Sequence, residues 1–216
     1  MVQVSRSSIV SAVSVLLVAA PPLCAQVTGS IGPLVGYYRP FGHFEPASVY
    51  STSLPRQPRD LRASAVGLSG QLSFGRRLGV EAQLTAANST LPAMNSPAGT
   101  VGPTAARVTV ATLQAQYDIS PVPEKLRLWV GAGPGLVQYG GDAYRCCGSP
   151  RSVGAALGAG MSLPLSAMLQ VTAGATALRY SVDIGMPPAL RANPGSLERG
   201  TQTDAILHLG MRWGHR

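Results

Sequence analysis

The chain has 216 residues, enough for one domain, with 17 Lys+Arg against 9 Asp+Glu and a net charge of +8. Its 25 glycines and 18 prolines exclude an architecture of long helices, and three cysteines exclude a disulfide-rich scaffold. The arginines are scattered singly, the longest basic run is Arg76-Arg77 and the only lysine is Lys125, so the basic patch that nucleic acid requires is missing.

Residues 1–25 read as a signal peptide. Arg6 charges the n-region, Ile9 to Ala20 is apolar apart from small serines, Pro21 and Pro22 break the helix, and Ala25 is a small residue before the cut. The apolar stretch falls short of the ~20 residues of a spanning helix. Leu23 before Cys24 argues against lipoprotein cleavage. Loss of Arg6 leaves the mature chain, 26–216, at 16 Lys+Arg against 9 Asp+Glu, net +7. A secreted basic chain fits an anionic surface such as lipopolysaccharide.

The first strand expected in chain order is the weakest. Residues 29–38 put Ile31, Val35 and Tyr37 on one face. Residues 64–74 alternate cleanly, with Val66, Leu68, Leu72 and Phe74 opposite small polar residues. Residues 78–87 follow with Leu78, Val80, Ala82 and Leu84. Residues 108–118 align Leu113, Ala115 and Tyr117, but Val108 and Val110 sit on the opposite phase, which predicts a bulge near 110–111. Residues 126–137, 153–163, 167–177 and 203–213 complete eight segments of about the 9–11 residues that a tilted strand needs to cross a bilayer. Pro33 and Pro134 interrupt two of them, and a local bulge is expected at each.

The connections are 25, 3, 20, 7, 15, 3 and 25 residues long, so long and short strictly alternate. That asymmetry predicts an eight-stranded antiparallel up-and-down transmembrane β-barrel, with 39–63, 88–107, 138–152 and 178–202 outside.

A soluble lipocalin-like barrel is the rival. The charges within the spans, Glu81, Asp118, Arg127, Asp204 and Arg212, all lie on the non-apolar phase. The rest of that phase is Gly, Ser, Thr, Ala and Gln, too poorly charged for a water-facing surface and suited to a narrow barrel interior. Asp118 and Arg127 flank the 119–125 turn and are expected to pair across it. Phe74, Tyr117 and Trp213 lie on the apolar phase at the short-turn ends, where a periplasmic aromatic girdle belongs.

With these features the chain resembles the small eight-stranded outer-membrane barrels, the OmpA/OmpX-type transmembrane domain, over residues 27–213. The most specific stretch is His208-Leu209-Gly210-Met211-Arg212-Trp213, which is similar to the C-terminal signal read by the barrel-assembly machinery. Gly214-His215-Arg216 follow the aromatic on which such chains commonly end. Trp129 to Gly135 resembles the Gly-alternating strand of these families. The resemblance implies an outer-membrane location in a Gram-negative cell, lipid and lipopolysaccharide as partners and a monomer; no peptidoglycan-binding domain is expected after the barrel.

No catalytic site is evident. A lipid-A-modifying barrel enzyme would use a His and a Ser close together on the outer face, and no His-x-Ser is present. His208 lies on the inward phase, and Asp204 is four residues away, about 13 Å along the strand. No metal-ligand spacing or cofactor motif appears, and Gly131-x-Gly133-x-Gly135 lacks the spacing of a nucleotide loop. Cys146-Cys147, in the 138–152 loop, allow a vicinal disulfide, an intermolecular bond or free thiols; an oxidising compartment favours a bond, and the vicinal form is expected. The function expected is a structural or surface-interaction barrel. The alternatives are a narrow pore or conduit for small apolar molecules, and the lipid-A enzyme. Against a pore, Glu81, Gln83, Gln114, Gln116, Trp129, Gln170 and Arg212 are expected to plug the lumen.

Overall fold

The computed structural model describes residues 27–41, 62–91, 94–96, 99–101, 103–120, 126–142, 151–182 and 200–214. The expected signal peptide and Cys146-Cys147 lie outside these residues. The strands are β1 (Val27–Pro40), β2 (Ala63–Phe74), β3 (Leu78–Leu91), β4 (Met94–Ser96), β5 (Gly99–Val101), β6 (Thr104–Asp118), β7 (Arg127–Gly140), β8 (Arg151–Pro164), β9 (Leu169–Val182) and β10 (Gly200–Gly214). Eight of them close into an antiparallel barrel in the order β1-β10-β9-β8-β7-β6-β3-β2. β4 and β5 form a separate hairpin between β3 and β6, within the connection expected over 88–107.

Closure fixes the tilt. Partners followed around the wall from Thr28 run through Ser73, Gly79, Gln116, Gly131, Gly158, Thr176 and Ile206 to Tyr38, ten residues above the start. A stagger of that size in eight strands tilts them by roughly 35–45° and leaves an interior that side chains can fill.

The period-2 pattern becomes an outward apolar wall. Val35, Val66, Leu84, Leu113, Leu157 and Leu207 are each more than half exposed, while Glu81, Gln83, Gln114, Thr176 and Asp204 on the alternate phase are buried. A barrel that is apolar outside and polar inside is inverted relative to a water-soluble one. Its outer face requires lipid, and closure leaves no unpaired edge there.

Three details differ from expectation. The register of β6 with β3 and with β7 is constant through Val108 and Val110, so no bulge occurs at 110–111. Both valines are 2% exposed and point into the lumen. The change of phase is an apolar layer inside the barrel at its long-loop end. The prolines also sit in unbroken register, Pro33 against Leu68 of β2 and Pro134 against Ala155 of β8. What gives way is the other neighbour, because Gly32-Pro33 have no partner on β10 and Gly133-Pro134 none on β6. The glycines are needed there: a Cβ would lie 1.8 Å from Met211 O at Gly32 and 1.9 Å from Leu113 O at Gly133. Each Gly-Pro pair therefore bends its strand against the wall without adding a residue. Last, the β8–β9 turn spans 165–168 rather than 164–166, and Ser166 Oγ accepts from Leu169 N at 3.1 Å.

Candidate functional site in the barrel lumen

All five charges expected inside do face inward, and they form two groups. Near the short-turn end Arg212 of β10 reaches across the lumen. Its Nη2 donates to Glu81 Oε1, its Nε to Ser69 Oγ at 2.9 Å and its Nη1 to Gln71 Oε1 at 3.0 Å. Gln116 Nε2 donates to Glu81 Oε2, and Gln71 Nε2 donates to Gln116 Oε1 at 2.6 Å. Four strands are tied by one cation and one anion, with Arg212 1% and Glu81 2% exposed. Such a pair is tolerable in low dielectric only when its remaining hydrogen-bonding positions are filled, and the two glutamines and the serine fill them. Below this layer Arg127 Nε lies 3.7 Å from Asp118 Oδ2, an ion pair without a hydrogen bond. Asp118 Oδ1 instead accepts from Ser120 N at 2.9 Å.

The second group lies at the long-loop end. Tyr38 OH donates to Asp204 Oδ2 at 2.5 Å, and Tyr180 OH donates to the same oxygen. Tyr139 OH and Tyr180 OH are also bonded, and Gln202 Nε2 donates to Asp204 Oδ1 at 2.8 Å. Ala65, Val108, Val110, Val137, Leu178 and Ile206 pack with the tyrosine rings into one buried cluster. Asp204 thus accepts hydrogen bonds through both carboxylate oxygens, from three side chains. Sequence reasoning missed the tyrosines. Only Tyr38 fell within an expected strand; Tyr139 and Tyr180 fell in the connections expected over 138–152 and 178–202, whereas β7 runs on to Gly140 and β9 to Val182.

Between the two layers lies a belt of buried polar atoms without a protein partner: Gln83 Nε2, Thr85 Oγ1, Thr112 Oγ1, Gln114 Oε1, Thr176 Oγ1 and both ring nitrogens of His208. Groups of this kind are satisfied by internal water. Trp129 is inward and 5% exposed, over the small residues Gly158 and Gly160 of β8. Gly158 makes room for Gln114 and Trp129, and Gly174 for His208, which is how a narrow interior is filled. Gln170, also expected in the lumen, donates to Ser30 Oγ at 3.2 Å at the short-turn mouth. Among the described residues no group of His, Cys, Asp and Glu is arranged to hold a metal ion.

Phe74, Tyr117 and Trp213 point outward at the short-turn rim, each 40–47% exposed. Leu78 pairs with both Phe74 and Tyr117, which fixes those two rings at one level. Arg77 Nη1 donates to Tyr117 OH at 3.1 Å from the neighbouring turn.

No protein-family model and no curated protein matches the sequence. Solved structures do match the fold. OprG from Pseudomonas aeruginosa superposes with a TM-score of 0.57 at 14% identity, covering 89% of this chain and 98% of that one. Neisserial surface protein A superposes with a TM-score of 0.55 at 13% identity, covering 86% and 96%. Both are eight-stranded outer-membrane barrels. Fold and apolar outer wall together define the class: this chain has the fold of the small transmembrane β-barrels of the outer membrane.

Proposed function

We propose that the protein is a closed, surface-interacting outer-membrane barrel, with its long connections outside the cell and no continuous path for solute. The observation that carries this reading is the double closure of the lumen. The Arg212–Glu81 layer blocks the short-turn half, and the Tyr38–Tyr180–Asp204 layer with its aliphatic residues blocks the long-loop half. An eight-stranded wall has little interior beyond what such side chains occupy. The reading includes no enzyme and no cofactor. His208 is a buried imidazole over Gly174 with no hydrogen-bond partner, and Asp204 is held by tyrosines. The partners that follow are the lipids and lipopolysaccharide around the wall, ligands of the long connections, and the assembly machinery that inserts the barrel as a monomer. The test is ion conductance of the refolded mature chain in planar bilayers. No steady current above the bare membrane is expected, and reproducible unitary conductance would overturn the closed-lumen reading.

A further inference from the structure

Nine arginines fall among the described residues, and five of them are exposed on the outward phase at one rim. Arg39 is next to the end of β1, Arg62 immediately precedes β2, Arg107 is near the start of β6, Arg151 opens β8 and Arg179 is near the end of β9. All five sit at the long-loop end. Arg39 and Arg179 face Ala205 and Thr203, which follow each other on the outer side of β10. Once the ten-residue stagger is followed around the wall, the five occupy a band roughly three residues deep. Below that band the outward side chains are Val35, Val66, Leu84, Leu113, Leu157 and Leu207.

Among the described residues acids are few at this rim. Glu81, Asp118 and Asp204 point into the lumen. Among the described residues the nearby carboxylate is Asp142, two residues past β7 and already engaged. Two arginines are oriented along the wall: Arg39 lies 4.9 Å over the Phe41 ring, and Arg107 Nε donates to Asn88 Oδ1 at 2.8 Å.

We infer that this belt binds the phosphate groups of an anionic lipid leaflet, those of phosphorylated lipid A in the outer face of the membrane. The planar guanidinium fork matches phosphate oxygens two at a time. The belt lies where the apolar wall ends, which is where headgroup phosphates begin. No arginine of the described residues points outward from a strand at the other rim; Arg76 and Arg77 there are in the turn. The inference rests on the outward orientation of the long connections and is independent of whether the lumen conducts.

The test uses the mature chain refolded in neutral phosphatidylcholine nanodiscs doped with bisphosphorylated lipid A or with its dephosphorylated form. Retained lipid A is counted by mass spectrometry after the barrel is withdrawn into detergent, and the folded state is checked by heat-modifiable gel mobility. The phosphorylated form is expected to be retained and the dephosphorylated form lost. Replacing Arg39, Arg107, Arg151 and Arg179 by Gln is expected to weaken retention by roughly fivefold per arginine, the equivalent of ~1 kcal/mol for each basic residue at an anionic surface. Replacing Arg76 and Arg77 by Gln removes charge at the other rim and is expected to change little. Equal retention of the two lipids overturns the inference, as does a folded fourfold variant that binds like the parent. If the fourfold variant does not fold, the pair Arg39→Gln and Arg179→Gln is read by the same criterion. An inverted orientation would show separately, as long connections that resist protease on intact cells.

Discussion

Arg212 on the last strand donates to Glu81 on the third, across the lumen and 131 residues back along the chain. The contact ties the C-terminal strand to the opposite wall, and neither partner reaches water. Arg212→Met would therefore leave a buried carboxylate unpaired, at a cost of about 3–5 kcal/mol. The double variant Glu81→Gln, Arg212→Met removes both charges and is expected to recover a good part of that loss. Urea unfolding in micelles, followed by heat-modifiable mobility, compares the three proteins. Additive losses would show that the pair is not coupled.

The wall gives a sharper comparison. Leu207 is 56% exposed on the lipid face, so Leu207→Arg at mid-depth is expected to cost roughly 2–4 kcal/mol and to block assembly. Alternation alone makes its neighbour Ile206 a tolerant lumen position. The structure does not: Ile206 is 1% exposed inside the tyrosine and aliphatic cluster, so Ile206→Arg is expected to fail as well. A tolerant inward position is Ser73, half-buried at the open short-turn mouth beside Gln71 and Arg127. Ser73→Arg should fold to near the parental amount. Gel mobility of the three variants reads this directly, and failure of Ser73→Arg would reverse the assignment of faces.

The difference between Ile206 and Ser73 marks where the sequence stops being legible. Alternation, charge phase and loop asymmetry suffice for eight strands, their faces and their order, because each is a local pattern. At the long-loop end the pattern breaks down, since the apolar residues of β6 change phase there: Val108 and Val110 face inside with Arg107 and Thr109 outside, whereas Leu113 and Tyr117 below them face outward. A single sequence reads that as a slip in register. Partners such as Arg212 and Glu81 were not readable at all. Their meeting depends on the stagger of the whole barrel, which every turn contributes to and no segment encodes alone.

The long-loop cap has its own test. Tyr180→Phe removes one donor from Asp204 and breaks the bond to Tyr139, at an expected cost of about 1–3 kcal/mol. Asp204→Ala removes the shared acceptor of Tyr38, Tyr180 and Gln202 and is expected to cost more. If the cap also seals the lumen, the folded Asp204→Ala barrel should admit ions that the parent excludes. An unchanged unfolding midpoint for both variants would remove the cap from the account of stability.

Protease added to intact cells should cut in the connections after β1, β7 and β9. The connection after β3 is expected to resist, because the strands run on to Leu91 and restart at Thr104 with the β4–β5 hairpin between them. Cutting confined to the connection between β6 and β7 would mean that the barrel is inverted.

The end of the chain must do two things: close the barrel and be recognised by the machinery that inserts it. Closure is visible, since β10 pairs with β1 from Ser30–Gly214 to Pro40–Asp204, and Gly214 N donates to Met168 O at 3.0 Å. Gly210 allows the close approach of β1, because a Cβ there would stand 2.9 Å from Pro33 O. Trp213 lies opposite Ile31 and Leu169, outward and 47% exposed at the short-turn rim, a depth that suits an amphipathic ring. Trp213→Ala keeps the ladder and removes the ring. It is expected to lower the amount of folded protein in the outer membrane several-fold, with a smaller change in the unfolding midpoint of what does assemble. Deleting His215 and Arg216, which lie beyond the last described ladder bond, is expected to change neither. Quantifying folded and unfolded bands in outer-membrane fractions separates the two variants. If the tail deletion reduces assembly as much as Trp213→Ala, recognition extends past the aromatic, and the ring's position on the wall is not what the machinery reads.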